Sequence, residues 1–255
     1  MTDPTPTQAP FRWRAAARRV SRLAGRVDAA HPPPAVAAEA ASWAADGWEA
    51  YCFRCGATTA GAAIGAGGCP HCVGRPVPWD RMTRLAAYTE PMDGWIKAMK
   101  YGRRWSIGPW LGARLGAAVG EAAPNSRWPR EGPVVVHAPM HWTRRWRRGF
   151  DQAALMADGL AKARGWRHEP LLKRVQRTAA QTSIPPSQRP ANVRHAFAMA
   201  EVDLEGRDVI LVDDVKTTGA TLARCARLLR QHGARTIHAT VAAVADPRGQ
   251  DFTAV

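Results

Sequence analysis

Hydrophobic and polar positions alternate in distinct rhythms along this chain, and the rhythm changes near residue 132. Before that point the spacing is helical. In Trp95-Ile-Lys-Ala-Met-Lys-Tyr101 the apolar Trp95, Ile96 and Met99 fall three to four residues apart, and the spacing predicts helix across residues 79–120. The run LGARLGAAVG continues as a second helix that ends near Pro124. From Gly132 the pattern shortens. PVVVHAP is a continuous β-branched run bounded by proline, as a buried strand requires. QAALMADGLAKARG then reads as a helix with Leu155, Met156, Leu160 and Ala163 inward and Gly165 as its stop. GRDVILVDDV reads as a strand, and TLARCARLLRQHG as a helix with Leu222, Cys225, Ala226 and Leu229 on one face. TIHATVAAVA is a further strand. Strand, helix, strand, helix, strand predicts a parallel α/β sheet with flanking helices. Between these elements, residues 173–198 are polar and proline-punctuated and read as a long loop.

The first fifty residues carry no such rhythm. Prolines cluster at both ends, and FRWRAAARRVSRLAGRV between them has arginine and no acid. As a helix it would gather Trp13, Ala17, Val20 and Leu23 on one face, but it reads best as a basic, partly disordered extension. A second module follows at 51–78, and the α/β unit fills 79–255.

Composition adds two constraints. No apolar run reaches the roughly 18 residues of a membrane helix, and the N-terminus lacks the apolar stretch of a secretory signal. A cytoplasmic protein without membrane insertion is expected. The balance of 36 basic against 21 acidic residues gives a formal charge of +15. This suits an anionic partner, either nucleic acid or a phosphorylated small molecule. The arginine–tryptophan run WTRRWRR at 142–148 tilts slightly toward nucleic acid, with single-stranded DNA as a candidate partner, though a solvated basic face is the preferred reading of the run itself.

Four of the five cysteines are paired as Cys52-x-x-Cys55 and Cys69-x-x-Cys72, with thirteen residues between the pairs. Each pair makes a knuckle that offers two thiolates. Two knuckles complete the tetrahedral four-sulfur set that zinc prefers. Four protein ligands leave no open position, so the expected Zn²⁺ is structural. His71 reads as a bystander, and Cys225, on an apolar helical face, reads as core.

The stretch VILVDDVKTTGATL brings opposite chemistries together. The strand delivers Asp213 and Asp214 to the C-terminal edge of the sheet, where open α/β folds bind ligands. Lys216, Thr217, Thr218, Gly219, Ala220 and Thr221 then turn into a helix N-terminus, a natural phosphate cradle. Carboxylates repel phosphate but accept hydrogen bonds from a vicinal diol. A ribose 5-phosphate, with its diol on the aspartates and its phosphate on the threonines, satisfies both halves. Nearby Mg²⁺ carried by such a ligand is also tolerated.

Two acids followed after three residues by T-G-A-T resemble the phosphoribosyl-pyrophosphate (PRPP) motif of type I phosphoribosyltransferases. With a four-cysteine module upstream, the chain resembles the ComF family of competence-associated, phosphoribosyltransferase-like proteins. WIKAMKYGRR resembles that family's KY segment at Lys100-Tyr101. RRGFDQ resembles its RGFNQ signature, and LLKRVQRTAAQTSIPPSQRPANVRHAF resembles its long polar loop. The resemblance implies a PRPP or nucleotide-like ligand with Mg²⁺ and a pyrophosphate contact at the Ala138–Met140 turn. Lys100, Arg148, Asp151 and Gln152 become secondary site candidates, and Arg144, Arg145 and Arg147 neutralise charge. It also implies a mobile lid carrying Arg174, Arg177, Gln181, Arg189 and Asn192, and a role in DNA uptake beside a helicase. Three positions depart from the pattern: Asp151 stands where asparagine is usual, His137-Ala138-Pro139 where PVP is usual, and Lys216 where an apolar residue is commoner.

Overall fold

The computed structural model describes residues 31–59, 64–122, 128, 131–140, 145–146, 148–175, 197–200 and 202–245. The basic stretch expected at 11–27 and most of the polar loop lie outside them.

The elements in chain order are α1 (Pro34–Ala40), β1 (Arg81–Ala87), α2 (Met92–Tyr101), α3 (Ile107–Ala122), β2 (Val134–His137), α4 (Gln152–Arg164), β3 (Arg167–His168), β4 (Leu172–Arg174), β5 (Phe197–Met199), β6 (Asp208–Lys216), α5 (Ala220–Gln231) and β7 (Thr236–Val244). Five strands form one sheet in the order β1-β7-β6-β2-β3. Every pairing in it is parallel. β4 and β5 form a separate antiparallel pair, Leu172 opposite Met199, at the two ends of the polar loop.

The sheet is coated on both faces, which is why its central strands are apolar without alternation. On one face Ile210, Val212 and Val135 pack with Ile96, Met99, Leu111, Leu115, Met156 and Leu160 from α2, α3 and α4. On the other, Val209, Leu211, Val241 and Ile237 pack with Leu222, Cys225, Ala226 and Leu229 of α5. That face of α5 is the one the spacing predicts, and Cys225 is core. α3 and α4 cross in backbone contact. A Cβ on Gly112 would sit 2.2 Å from the Met156 carbonyl oxygen, and one on Gly159 would sit 2.4 Å from that of Pro109. Only glycine permits this approach.

Two sequence expectations are corrected. Residues 81–87 are a strand, not the start of a helix. Met82, Leu85 and Ala86 imitate helical spacing, but Met82 through Ala86 are all buried, Arg84 included. A buried arginine made a fully covered strand look amphipathic. Ala163 is exposed and not inward. Ala153, Ala157 and Ala161 fill the α4 interface in its place, because the helix is wedged between α3 and the sheet.

The segment before the cysteine module packs on the α2/α3 layer. Trp43 meets Trp95 edge-on at 5.2 Å and Trp110 at 5.7 Å between ring centroids. Among the described residues no helix is long and apolar enough to cross a membrane.

Candidate functional site: an acid–threonine loop and a four-cysteine centre

β6 ends at the C-terminal edge of the sheet and carries Asp213 and Asp214 there, both half-buried. Each carboxylate accepts from the amide that follows it: Asp214 N–H to Asp213 Oδ1 at 2.8 Å, and Val215 N–H to Asp214 Oδ1 at 2.7 Å. Asp214 Oδ2 pairs with Lys100 Nζ at 2.8 Å, so a residue from the last turn of α2 reaches the acid pair more than a hundred positions on. Burial pushes the Asp213 carboxyl well above the usual range, and the neighbouring Asp214 charge pushes it further, against the pull of Lys100.

Beyond the acids, Lys216 is the last residue of β6 and is buried, with 1% of its surface exposed. It lies beneath the turn and not on its rim. Thr217 and Thr218 are exposed above it. Gly219 caps α5 with φ 80° and no side-chain cap bond. Thr218 Oγ1 accepts from Ala220 N–H at 3.3 Å. Ala220 N–H apart, a helix whose cap residue has no side chain leaves its first-turn amides for an anion. Asp213, Asp214 and Thr217 through Thr221 are thus contiguous on one rim, as the strand–turn–helix pattern predicts.

The opposite rim is the Ala138–Met140 turn, and Asp151 accounts for its shape. Asp151 is the N-cap of α4 and accepts from Ala154 N–H at 3.3 Å. Its second oxygen accepts from Met140 N–H at 3.1 Å. At the other end of the turn, Ala138 N–H donates to the Val212 carbonyl at 2.8 Å. A carboxylate offers an oxygen to each amide, whereas an asparagine offers one carbonyl oxygen only. The departure from RGFNQ therefore serves the turn. Burial, the dominant cause, raises the Asp151 carboxyl, and the charge of Asp214 adds to it. Gln152 is fully buried, and its amide has no hydrogen-bond partner among the described residues.

The basic run contributes an exposed face. Arg148 lies over the Tyr101 ring at 5.3 Å, with Tyr101 74% and Trp146 83% exposed. Arg145 is exposed too; Arg144 and Arg147 lie outside the described residues. Of the lid candidates, Arg174 sits in β4 over the Phe197 ring of β5 at 5.2 Å. Arg177, Gln181, Arg189 and Asn192 lie outside the described residues.

Sequence reasoning missed one pair at this edge. His137 Nδ1 and His168 Nε2 are 2.9 Å apart where β2 and β3 end. Burial lowers both rings to about 4, aided by Arg145 at His137 and by His137 at His168. A third histidine, His238 of β7, is buried against Thr83 Oγ1 at 2.7 Å, and burial pushes it down to about 3. The unfolded His238 takes a proton below about pH 6.5 and the folded one does not until about pH 3, so stability is lost as pH falls through that window. A His238→Gln variant lacks this loss. Between pH 7 and pH 5 the stability gap between wild type and variant should move by about 2 kcal/mol against the wild type, read by urea denaturation at both pH values. An unchanged gap would refute the assignment. Comparison with the variant cancels the opposite contribution of the raised carboxyls.

The four cysteines converge as their spacing predicts. Cys52, Cys55, Cys69 and Cys72 are all buried, and their sulfurs lie within 4.8 Å of one another. The Cys52–Cys72, Cys55–Cys69 and Cys69–Cys72 separations are 3.7, 3.5 and 3.9 Å. A tetrahedron with Zn–S bonds of about 2.3 Å has edges of about 3.8 Å, so the donor set fits zinc. The thiols also restrain one another. Cys52 is lowered to about 4, chiefly by its hydrogen bond from Cys55, while burial pushes Cys72 up to about 11. Four such thiols ionise together only around a cation. His71 is exposed.

A parallel sheet with its acid–threonine loop at the C-terminal edge, joined to a four-cysteine centre, defines a phosphoribosyltransferase-type fold with a small cysteine module. Residues 149–252 match the family described as "Phosphoribosyl transferase domain". The chain is 34% identical over 171 residues to the DNA utilization protein YhgH of Salmonella typhi, spanning 66% of this chain and 74% of that one. It is 31% identical over 193 residues to Competence protein F of Haemophilus influenzae, spanning 73% and 81%. This chain belongs to the ComF family that these relatives represent. A more distant similarity, 30% over 134 residues, is to the amidophosphoribosyltransferase of Pyrococcus horikoshii and covers 26% of that protein.

Proposed function

We propose that the loop from Asp213 to Thr221 holds a ribose 5-phosphate ligand, with Mg²⁺–PRPP as the fullest fit, in a cytoplasmic ComF-type protein serving DNA uptake or use. The observation that carries this reading is the succession on one strand–helix junction of two carboxylates and an uncapped, hydroxyl-rich helix start. Asp213 and Asp214 would take the diol, with Mg²⁺ riding on the ligand's own oxygens. Thr217, Thr218 and the amides of Gly219 and Thr221 would take the phosphate. The clamped Ala138–Met140 turn faces a pyrophosphate. In this reading the four cysteines hold a structural Zn²⁺ in the 51–78 module, and residues 79–255 form the ligand-binding unit. A thermal shift with Mg²⁺–PRPP tests it: stabilisation is expected, and no shift in the wild type sinks it. Pyrophosphate release with a panel of nitrogenous bases then distinguishes transfer from binding.

A second reading has its own observation. Exposed Trp146 and Tyr101, with Arg148 stacked on the latter, form an aromatic–basic face beside the loop. Such faces bind single-stranded nucleic acid by stacking and phosphate contacts, in keeping with relatives named for DNA utilization and competence. Affinity for a single-stranded oligonucleotide should fall steeply with salt, and Trp146→Ala should weaken it at every salt concentration. A flat, weak response would remove this reading.

A further inference from the structure

The cysteine centre and the phosphate loop face each other across one crevice, and one side chain bridges them. The first knuckle, Cys52 to Gly56, lies against the segment Trp79 to Arg84. Three successive stretches of its backbone accept hydrogen bonds from that segment. Phe53 O takes Met82 N–H at 2.7 Å, Arg54 O takes Trp79 Nε1–H at 2.7 Å, and Gly56 O takes Arg84 Nη1 at 2.7 Å. The Arg54 guanidinium meanwhile donates across to the second knuckle, to the carbonyls of Gly67, Cys72 and Arg75. The peptide that receives the Trp79 indole N–H is thus held from both knuckles.

The other end of the indole meets the phosphate loop. Trp79 is buried, and its Cη2 stands 3.4 Å from where a Cβ on Gly219 would be. Gly219 is the φ 80° cap residue between Thr218 and Ala220. The crevice around this contact is lined by Cys55 and Cys72 on one side and Thr218, Gly219 and Ala220 on the other, with Trp79 between. Interiors are close-packed, so a shift of the indole is passed to the turn it touches.

We propose that Trp79 is a positioning residue that couples metal occupancy of the four-cysteine centre to the shape of the Thr217–Thr221 turn. This rests on the reading of that turn as a phosphate site. With the knuckles closed around zinc, the Arg54 carbonyl fixes the indole, and the indole fixes Gly219 in the conformation that presents the helix amides. With the knuckles open, the indole loses its acceptor and the turn loses its support. Coupling of this kind is reciprocal: a ligand on the turn must raise zinc affinity by the same factor that zinc raises ligand affinity.

The test measures zinc affinity of the full chain by competition with a chromogenic chelator, with and without saturating ribose 5-phosphate, a probe that needs no Mg²⁺. In wild type the sugar phosphate should raise zinc affinity by about 5- to 150-fold, the usual range for coupled sites. In Trp79→Phe, which keeps a ring but loses the indole N–H, and in Trp79→Leu, the ratio should fall to near one. The ratio is the diagnostic, because a merely structural tryptophan would lower both affinities and leave their ratio intact. An unchanged ratio in both variants overturns the proposal. So does a wild-type ratio of one while ribose 5-phosphate is seen to bind, and that result leaves the phosphate reading standing. Zinc-loaded wild type that binds neither ribose 5-phosphate nor inorganic phosphate overturns both.

Discussion

Cys55→Ser should strip the chain of zinc and unfold the surroundings of the four cysteines while the sheet persists. The local core explains why. Among the described residues, the buried hydrophobic cluster around Cys52, Cys55, Cys69 and Cys72 adds only Ala57, with Ile64 and Val77 partly buried against it. A core of sulfur and one methyl cannot offset the entropy of ordering its backbone. Structural zinc contributes about 10–16 kcal/mol of apparent binding free energy in small thiolate sites at pH 7, more than the whole stability of most domains. The two clusters on either side of the sheet are large apolar cores of their own and do not depend on the metal. The damage should nevertheless reach β1. Arg84 is 1% exposed and donates to Gly56 O and Thr58 Oγ1 of the cysteine region as well as to Asp46. Losing such partners for a buried charge costs about 1–3 kcal/mol or more. Metal analysis should give one zinc per wild-type chain and none in the variant. Limited proteolysis should cut the variant between residues 50 and 78. Stoichiometric zinc in Cys55→Ser with an unchanged melting temperature would refute the assignment.

What could be read in advance depended on whether neighbouring residues carried the signal. The acid–threonine loop was legible because one strand–turn–helix junction holds all its parts in a single contiguous stretch. The gathering of the four cysteines was legible because their paired C-x-x-C spacing is that of ligands suited to one ion. β1 was not legible, because its period-two signal was erased by burial on both faces and by Arg84, whose partners lie 38 residues away at Asp46 and 28 away in the knuckle. The His137–His168 contact and the Trp79–Gly219 contact join residues 31 and 140 positions apart, and local periodicity carries no trace of either. The substitution at Asp151 was visible as a departure, but its reason, two amides needing two oxygens, required the turn at Met140 to be placed.

Replacing both carboxylates, Asp213→Asn with Asp214→Asn, should abolish stabilisation by Mg²⁺–PRPP without unfolding the protein. Each charged hydrogen bond to a hydroxyl is worth about 1.5–3 kcal/mol, so each single variant should weaken binding about 10- to 150-fold. The pH dependence separates the two residues. Burial and the Asp214 charge hold the Asp213 carboxyl high. A diol needs the ionised acceptor, so affinity should fall as pH drops through that raised value. Asp214→Asn removes one of the two causes and should move the midpoint of this fall to lower pH. Lys100→Ala removes a cation that favours ionisation of Asp213 and should move it to higher pH. Opposite displacements from two neighbours of one carboxyl are what ligand contact at Asp213 requires. If the double variant keeps the wild-type thermal shift, the acids serve only to seat Lys100 against the sheet edge, and the ligand is held by the threonine turn alone.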